Sequence, residues 1–262
     1  FRGRGFEQMG MEFFVKPGTD GEWFKYWLEE RFNWYVKLGM KKDYLRLRQH
    51  AKDELAHYAL DCYDIEYLFP MGWSELEGIA NRGNFDLTQH AKCSGKELSY
   101  RDAEGGERYF PYVIEPSAGV DRSVLAFLID AYDEEEVEGE KRTVLHLSPS
   151  LAPVKVAVLP LSRNEKLTPL AKEVFKMLCS NFMTDYDDSQ SIGRRYRRQD
   201  EIGTPFCVTI DFESLEDKQV TIRERDSLAQ IRVPIGELRK VIEAKLKGEA
   251  FDASKLWATR QK

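Results

Sequence analysis

The sequence predicts two domains of mixed helices and strands, the second an α/β domain of roughly 100 residues. The 262 residues suffice for two ordinary domains, and 42% hydrophobic against 32% charged residues can form a buried core. From residue 154 onward, β-branched strands alternate with helices. From residue 151 onward the chain holds 20 Lys and Arg against 17 Asp and Glu, whereas the first 150 residues hold 19 against 28. Only the second part therefore carries the charge that attracts polyanions over much of its surface.

Composition excludes several classes of function. No stretch approaches the roughly 20 apolar residues of a membrane-spanning helix, and the net charge of −6 argues against a wholly basic nucleic-acid coat protein. The four cysteines form no CxxC pair and the four histidines no metal-binding spacing, so we expect no metal motif. A reduced, cytoplasmic protein without membrane or DNA partners is the natural expectation.

The elements of the first domain follow from periodicity and turn residues. Residues 6–15 alternate polar and apolar side chains and predict one strand with a polar face. Apolar residues at helical spacing predict a helix over 22–38 that stops at Gly39. Further predictions are a helix starting near Asp53, strands over 64–69, 74–80 and 112–115, a hairpin or loop over 95–107, and a helix over 120–132.

The acidic run 133–140, followed by prolines between 149 and 153, predicts the domain boundary. The second domain is predicted to contain strands over 154–159, 206–211 and 220–225, with helices over 168–182 and 235–246.

The segment FRGRGFEQ carries two arginines, Arg2 and Arg4, that point the same way on an extended chain. Such a pair can grip phosphate oxygens. It can equally be a solvent-exposed basic strand end.

The segment WSELEGIANR places Glu75 and Glu77 on one face of an otherwise apolar strand. Buried carboxylates without partners are costly, so they require a cation or hydrogen-bond donors. The alternative is an edge strand with its polar face in water.

The segment EPSAGVDR combines small residues with Arg122 in the first turn of an apolar helix. Small residues allow a ligand to approach the backbone, and a helix N-terminus favours anions. An arginine there opposes the helix dipole, which indicates a bound anion unless it is an ordinary surface charge.

Taken together, these segments resemble the class II glycyl-tRNA synthetases of the homodimeric type. FR-x-R-x-FEQM is similar to the second half of that family's motif 2, and IEPSAGVDRSVLAFLIDAYDEEE to its motif 3. GWSELEGIANRGNFDLTQHAK, VKVAVLPL and SIGRRYRRQDEIGTPFCVTIDFE resemble other parts of the same proteins. The resemblance implies an α+β catalytic domain with an antiparallel sheet and helices, partial and over 1–148. An α/β anticodon-binding domain with a mixed sheet follows over 149–262.

The resemblance also implies residue roles. The residues that it implies to bind ATP are Phe1, Arg2, Arg4, Phe6, Glu75, Leu76, Gly119, Asp121 and Arg122. The residues that it implies to bind glycine are Phe6, Glu7, Gln8, Glu115, Pro116, Ser117 and Ala118. The implied chemistry is attack of the glycine carboxylate on the α-phosphorus of ATP, with Mg²⁺ accompanying the nucleotide.

This sequence departs from the family at Gly5 and Gly10, where the family carries glutamate. The glutamate at the second position helps to bind the substrate ammonium group. Motif 1, which builds the family's dimer interface, and the start of motif 2 are expected upstream.

Arg194, Arg195, Arg197 and Arg198 surround Tyr196 in the densest basic cluster of the chain. On a helix, at least two of them would face a phosphate backbone, and Tyr196 would stack on a base or pack inward. The alternative is a solvated helix paired with Asp200 and Glu201.

The resemblance therefore implies a glycine–tRNA ligase, with glycine, ATP and tRNA(Gly) as substrates and a homodimer as the full-length form. This chain would be an incomplete or impaired version. The alternative is a non-catalytic synthetase-like module that binds tRNA or protein partners.

Overall fold

The computed structural model describes residues 5–103, 105–137 and 139–250. The chain divides into two compact units, with the division between Asp130 and Ala131.

The first unit is built on one antiparallel sheet, as expected for the α+β domain. Its strands lie in the order β1-β8-β5-β4-β3, and β2 also pairs with β8. A separate small hairpin joins β6 and β7, which confirms the hairpin predicted over 95–107. The strand bounds are β1 Gln8–Gly10, β2 Phe13–Val15, β3 Leu45–Gln49, β4 Asp61–Phe69, β5 Gly72–Gly83, β6 Tyr100–Arg101, β7 Arg108–Tyr109 and β8 Tyr112–Gly119.

Two predictions about these strands were wrong in detail. The single strand predicted over 6–15 is interrupted at Met11 and Glu12, where the Met11 N–H donates to the Pro116 carbonyl at 3.0 Å. The strand predicted to end at Glu115 continues through the small residues to Gly119. Residues 115–119 are thus part of the sheet rather than a turn.

The helices of this unit are α1 Asp20–Lys37, α2 Phe85–Ser94 and α3 Val120–Ala131, with a short 3₁₀ turn at Lys42–Tyr44. Helix α1 buries Phe24, Leu28 and Tyr35 against the apolar face of the sheet. Gly39 follows it with φ +104°, which confirms the predicted stop. The helix predicted near Asp53 was wrong, because residues 51–59 form turns, and α2 was not predicted.

The second unit contains a five-stranded mixed sheet in the order β12-β11-β13-β14-β15. Strand β11 pairs in parallel with β12 and β13, and the remaining pairs are antiparallel. The strand bounds are β11 Val156–Pro160, β12 Thr184–Tyr186, β13 Phe206–Ile210, β14 Gln219–Glu224 and β15 Gln230–Pro234. The helices are α4 Leu167–Cys179, α5 Ile192–Glu201, α6 Glu213–Asp217 and α7 Leu238–Leu246. This mixed sheet confirms the predicted α/β domain.

The acidic run 133–140 was predicted to mark the domain boundary. It lies in a hairpin of β9 Tyr132–Val137 and β10 Glu140–Leu145 that belongs to the second unit. Arg142 of this hairpin is buried and donates to Asp200 Oδ2 on α5 at 2.9 Å. The contact boundary therefore precedes the hairpin, whereas the predicted domain boundary at 148/149 follows it.

Candidate functional site

A cavity of about 550 Å³ lies where β1, β5, β8 and the first turn of α3 meet. These elements come from distant parts of the chain and are joined by the antiparallel sheet. The residues that line the cavity are Gly5, Phe6, Glu7, Gln8, Glu75, Ser117, Ala118, Gly119, Asp121 and Arg122. Except for Gly5, each of them was predicted from the sequence to contact ATP or glycine.

Strand β1 pairs with the end of β8 at the cavity. Gln8 lies opposite Gly119 and Gly10 opposite Ser117. The Gln8 side-chain amide donates to the Ser117 hydroxyl. The Val120 N–H at the start of α3 donates to the Glu7 carbonyl at 2.9 Å. The two segments that the sequence singled out at 6–8 and 117–120 thus share one wall of the cavity.

Arg122 reaches across to β5. Its Nη1 donates to the Glu75 carbonyl at 2.7 Å and lies 3.4 Å from the Glu75 carboxylate. The Arg122 side chain is 19% exposed and that of Glu75 40% exposed. Arg122 opposes the dipole of α3, and Glu75 of β5, outside that helix, holds it in place. Its guanidinium lines the cavity, where it can meet an anion.

Glu75 and Glu77 do not share a face, contrary to prediction. Glu66 of β4 pairs with Glu75 and Ile65 with Glu77, so Leu76 is the extra residue of a β-bulge. Glu75 lines the cavity, whereas Glu77 is 1% exposed on the side of α1.

Glu77 has a structural role. It accepts hydrogen bonds from Arg31 Nε at 2.7 Å and from the Tyr35 hydroxyl at 2.8 Å. Burial and the Glu77 charge raise the pKa of the Tyr35 hydroxyl well above its usual value. The donors that the sequence analysis required for a buried carboxylate are therefore these two side chains.

Glu115, the predicted partner of the glycine ammonium group, is paired with Arg82 of β5. Arg82 Nη1 lies 2.5 Å from Glu115, and Arg82 Nε lies 2.7 Å from Asp86 on α2. The Arg82 guanidinium also stacks on the Tyr58 ring at 3.9 Å. Hydrogen bonds from Arg82 hold the pKa of Asp86 below its usual value. Sequence reasoning missed Arg82, although its position within GIANRG beside the predicted strand was available as a signal.

The predicted contacts Glu115, Leu76 and Pro116 are not among the residues that line this cavity. Leu76 is 1% exposed in the hydrophobic core, and Pro116 is buried within β8. Phe1, Arg2 and Arg4 lie outside the described residues.

The arginine cluster of the second unit is divided between exposed and buried positions on α5. Arg195 is 1% exposed and donates to the carbonyls of Asp188, Ser189, Gln190 and Pro160. The Arg195 guanidinium therefore cannot make the predicted phosphate contact, because it is buried and its N–H groups donate to backbone carbonyls of the same unit. Arg198 Nε donates to Asp187 at 2.8 Å.

Arg194 and Arg197 line a second cavity of about 640 Å³, together with Arg223 of β14. Arg194 is exposed, and Arg197 lies 3.5 Å from Glu140. The Tyr196 hydroxyl bonds Thr209 at 2.6 Å, and the Arg223 guanidinium lies over its ring at 4.6 Å. Burial raises the pKa of Tyr196 to about 12. Of the two predicted roles, the structure shows inward packing for Tyr196.

Residues 155–245 match the anticodon binding domain family. The glycine–tRNA ligase of Caldanaerobacter subterraneus is 58% identical over 247 residues, which cover 94% of this chain and 53% of that protein. The glycine–tRNA ligase of Thermobifida fusca is 56% identical over 256 residues, which cover 95% of this chain and 55% of that protein. This chain is a partial class II synthetase, related to the glycine–tRNA ligases. It spans about half the length of the curated relatives it matches.

A solved structure gives the same class II fold. The prolyl-tRNA synthetase of Cryptosporidium parvum, complexed with L-proline and AMP, aligns with a TM-score of 0.67 over 94% of this chain and 51% of that chain. At 17% identity this likeness concerns the fold alone. Among the described residues of this partial synthetase, no helix combines the length and apolar character needed to cross a membrane.

Of the two departures from the synthetase pattern, Gly5 lines the first cavity, and Gly10 lies opposite Ser117, which lines it. A Cβ atom placed on Gly5 or Gly10 would meet no atom of the described residues within 4 Å. Gly10 does not have the positive φ that would require glycine. Packing of the described residues therefore does not explain why glycine replaces glutamate at these positions.

Proposed function

We propose that this chain is the part of a glycine–tRNA ligase that binds ATP and glycine in the first cavity and reads tRNA(Gly) with the second unit. The observation that carries the proposal is the convergence of Gln8, Glu75, Ser117 and Arg122 on one cavity. The guanidinium of Arg122 can neutralise phosphate charge, and the polar side chains of Gln8 and Ser117 can orient an amino acid.

The proposed reaction has two steps. The glycine carboxylate attacks the α-phosphorus of ATP, which forms glycyl-adenylate and releases pyrophosphate. A hydroxyl group at the 3′ end of tRNA(Gly) then attacks the glycyl carbonyl, which forms an ester and releases AMP. Arg122 would stabilise the phosphate charge that develops during the first step. Glu115 and Ser117 would hold the glycine ammonium group, with Arg82 fixing the orientation of Glu115.

Mg²⁺ would accompany ATP, and it supplies neutralisation of phosphate charge when it is bound. The carboxylates of Glu75 and Asp121 line the cavity and offer the hard oxygen ligands that Mg²⁺ prefers. Leu76, with its side chain in the core, would contact ATP through its backbone alone. A cytoplasmic location and a homodimeric full-length form accompany this proposal, and both rest on the family resemblance.

The second unit would contribute the tRNA contacts. Arg194 and Arg197 line its cavity, and basic side chains of this kind bind phosphates in a salt-dependent manner. Arg198 pairs with Asp187 and would contribute less.

Glycine-dependent exchange of pyrophosphate into ATP tests this function directly. The assay is run on this chain and on a fusion that supplies the unmatched part of the Thermobifida fusca relative. Exchange by either protein supports the ligase. Failure of the correctly folded fusion to catalyse exchange would contradict it.

A non-catalytic module that binds tRNA is the second candidate, and Gly5 and Gly10 are the observation that favours it. Each glycine removes a carboxylate that the family carries at the site. This candidate predicts no exchange activity in the fusion, together with retained binding of tRNA(Gly).

A further inference from the structure

Three side chains of different chemistry converge on one face of the sheet of the first unit, at β3 and β4. Gln49 pairs with Tyr63, so His50 lies opposite Cys62, and the His50 N–H donates to the Cys62 carbonyl at 2.9 Å. Cys62 and Asp64 are two residues apart on β4 and therefore point to the same face. His50 Nε2 lies 2.8 Å from Asp64 Oδ2. The imidazole nitrogen, the thiol sulfur and a carboxylate oxygen all lie within 4.8 Å of one another.

These donors are the ligand types of a zinc site. Zinc binds cysteine sulfur, histidine nitrogen and carboxylate oxygen in tetrahedral geometry, and three protein ligands leave one position for water. Bonds of roughly 2.0–2.3 Å place the donor atoms roughly 3.3–3.7 Å apart. Small side-chain rotations would bring the three groups to that spacing. We propose that His50, Cys62 and Asp64 bind a zinc ion.

The surroundings of the three groups favour a cation. Asp64 is 7% exposed. The carboxylates of Asp64, Asp61 and Glu75 lie near enough to the Cys62 thiol to act on it electrostatically. The same negative charge attracts a divalent cation, whose binding would displace the thiol proton. A Cβ placed on Gly78, opposite Asp64, would lie 3.7 Å from Asp64 Oδ1, so the glycine leaves this side of the carboxylate open.

Arg48 is a basic side chain that contacts Asp64. Its Nη2 lies 3.3 Å from Asp64 Oδ2, and its other nitrogens pair with Glu54 and Glu66. The Arg48 guanidinium is thus shared among three carboxylates, and Arg46 Nε also pairs with Glu66 at 2.6 Å. Asp64, Glu54 and Glu66 together exceed these two arginines by one negative charge.

A second group, made of Asp133, Glu135 and His146, also lies within metal-binding distance. Arg142 lies 2.7 Å from Glu135, and Asp226 lies 2.6 Å from His146. This group lacks a thiol, so it serves as an internal control for a cysteine-containing site.

Titration of the chelator-treated full chain with Co²⁺ tests the proposal. A cobalt ion bound by Cys62 gives thiolate-to-metal charge-transfer absorption at one equivalent. The absorption is expected to disappear in Cys62→Ser and to persist in Cys93→Ser and in Glu135→Gln. His50→Gln and Asp64→Asn are each expected to weaken Zn²⁺ affinity by at least about tenfold. Absence of stoichiometric binding, or absorption that survives Cys62→Ser, would overturn the proposal.

A measurement on the unmodified protein covers the case in which Cys62→Ser fails to fold. One equivalent of Zn²⁺ should slow alkylation of Cys62, as read by peptide mass spectrometry. The exposed Cys93 and Cys179 should react at unchanged rates. Equal alkylation of Cys62 with and without Zn²⁺ would exclude the site. Neither readout depends on ligase activity.

Discussion

Replacing Gly10 by glutamate should strengthen glycine binding. Gly10 lies opposite Ser117 in the β1–β8 ladder, so a side chain at position 10 shares a face with Ser117. No atom of the described residues lies within 4 Å of the new Cβ, so Gly10→Glu introduces no clash at that atom. A charge-assisted hydrogen bond to the glycine ammonium is worth about 1.5–3 kcal/mol. The expected gain in affinity is roughly ten- to a hundredfold.

Repulsion between the new carboxylate and Glu115 is the opposing effect. Arg82 lies 2.5 Å from Glu115 and offsets much of its charge, so the favourable contact should dominate. Isothermal titration of glycine into both proteins measures the change. Gly21→Glu is the matched control, because it adds the same charge at another open position, in the first turn of α1. A folded Gly10→Glu protein that binds glycine no better than Gly21→Glu would refute the reasoning.

Three further predictions concern Arg122, Arg194 and Asp200. Arg122→Ala should lower pyrophosphate exchange in the fusion by about 10²–10³-fold, because one charged donor to phosphate is lost, and near-normal exchange would remove Arg122 from the site. Arg194→Ala should reduce the slope of log affinity against log salt concentration by about one for the tRNA(Gly) anticodon stem-loop, as measured by filter binding. Substitution of the buried Arg195 should instead alter stability and leave this slope unchanged. Asp200→Ala should lower the free energy of unfolding by about 3–5 kcal/mol in urea titrations, because Arg142 and Arg223 lose a shared buried partner; a loss below 1 kcal/mol would contradict this.

Local periodicity predicted β5 and α3, two of the four elements that meet at the first cavity, but it ended β8 at Glu115, before the residues that line the cavity. The apolar stripes of α1 and α3 and the alternation in β4 and β5 appear directly in the sequence. The convergence of residues 6–8 with 117–122 could not be derived from periodicity, because it depends on β1 pairing with β8. Resemblance to a family supplied that information before the structure did.

The differences between prediction and structure have physical causes that short windows of sequence do not contain. Residues 133–140 resemble a domain boundary because they are acidic, and their pairing is not visible locally: β9 is stabilised by basic partners across the hairpin, with Glu135 opposite Arg142 and Glu136 opposite Lys141. The three residues of the proposed zinc site likewise have no recognisable spacing in the sequence. Eleven residues separate His50 from Cys62, and only the pairing of β3 with β4 makes them neighbours.

Neighbouring charges of the same type have opposite roles in this chain, and backbone geometry decides between them. The bulge at Leu76 sends Glu77 into the protein, where Arg31 and Tyr35 satisfy it, and leaves Glu75 at the cavity. Helix α5 likewise buries Arg195 and exposes Arg194. Because a buried charge that loses its partner costs several kcal/mol, substitutions at Glu77 or Arg195 should act mainly through stability. Substitutions at Glu75 or Arg194 should instead weaken ligand binding without loss of stability. Strand β5 and helix α5 therefore each carry one charged residue expected to act in binding and one expected to act in folding.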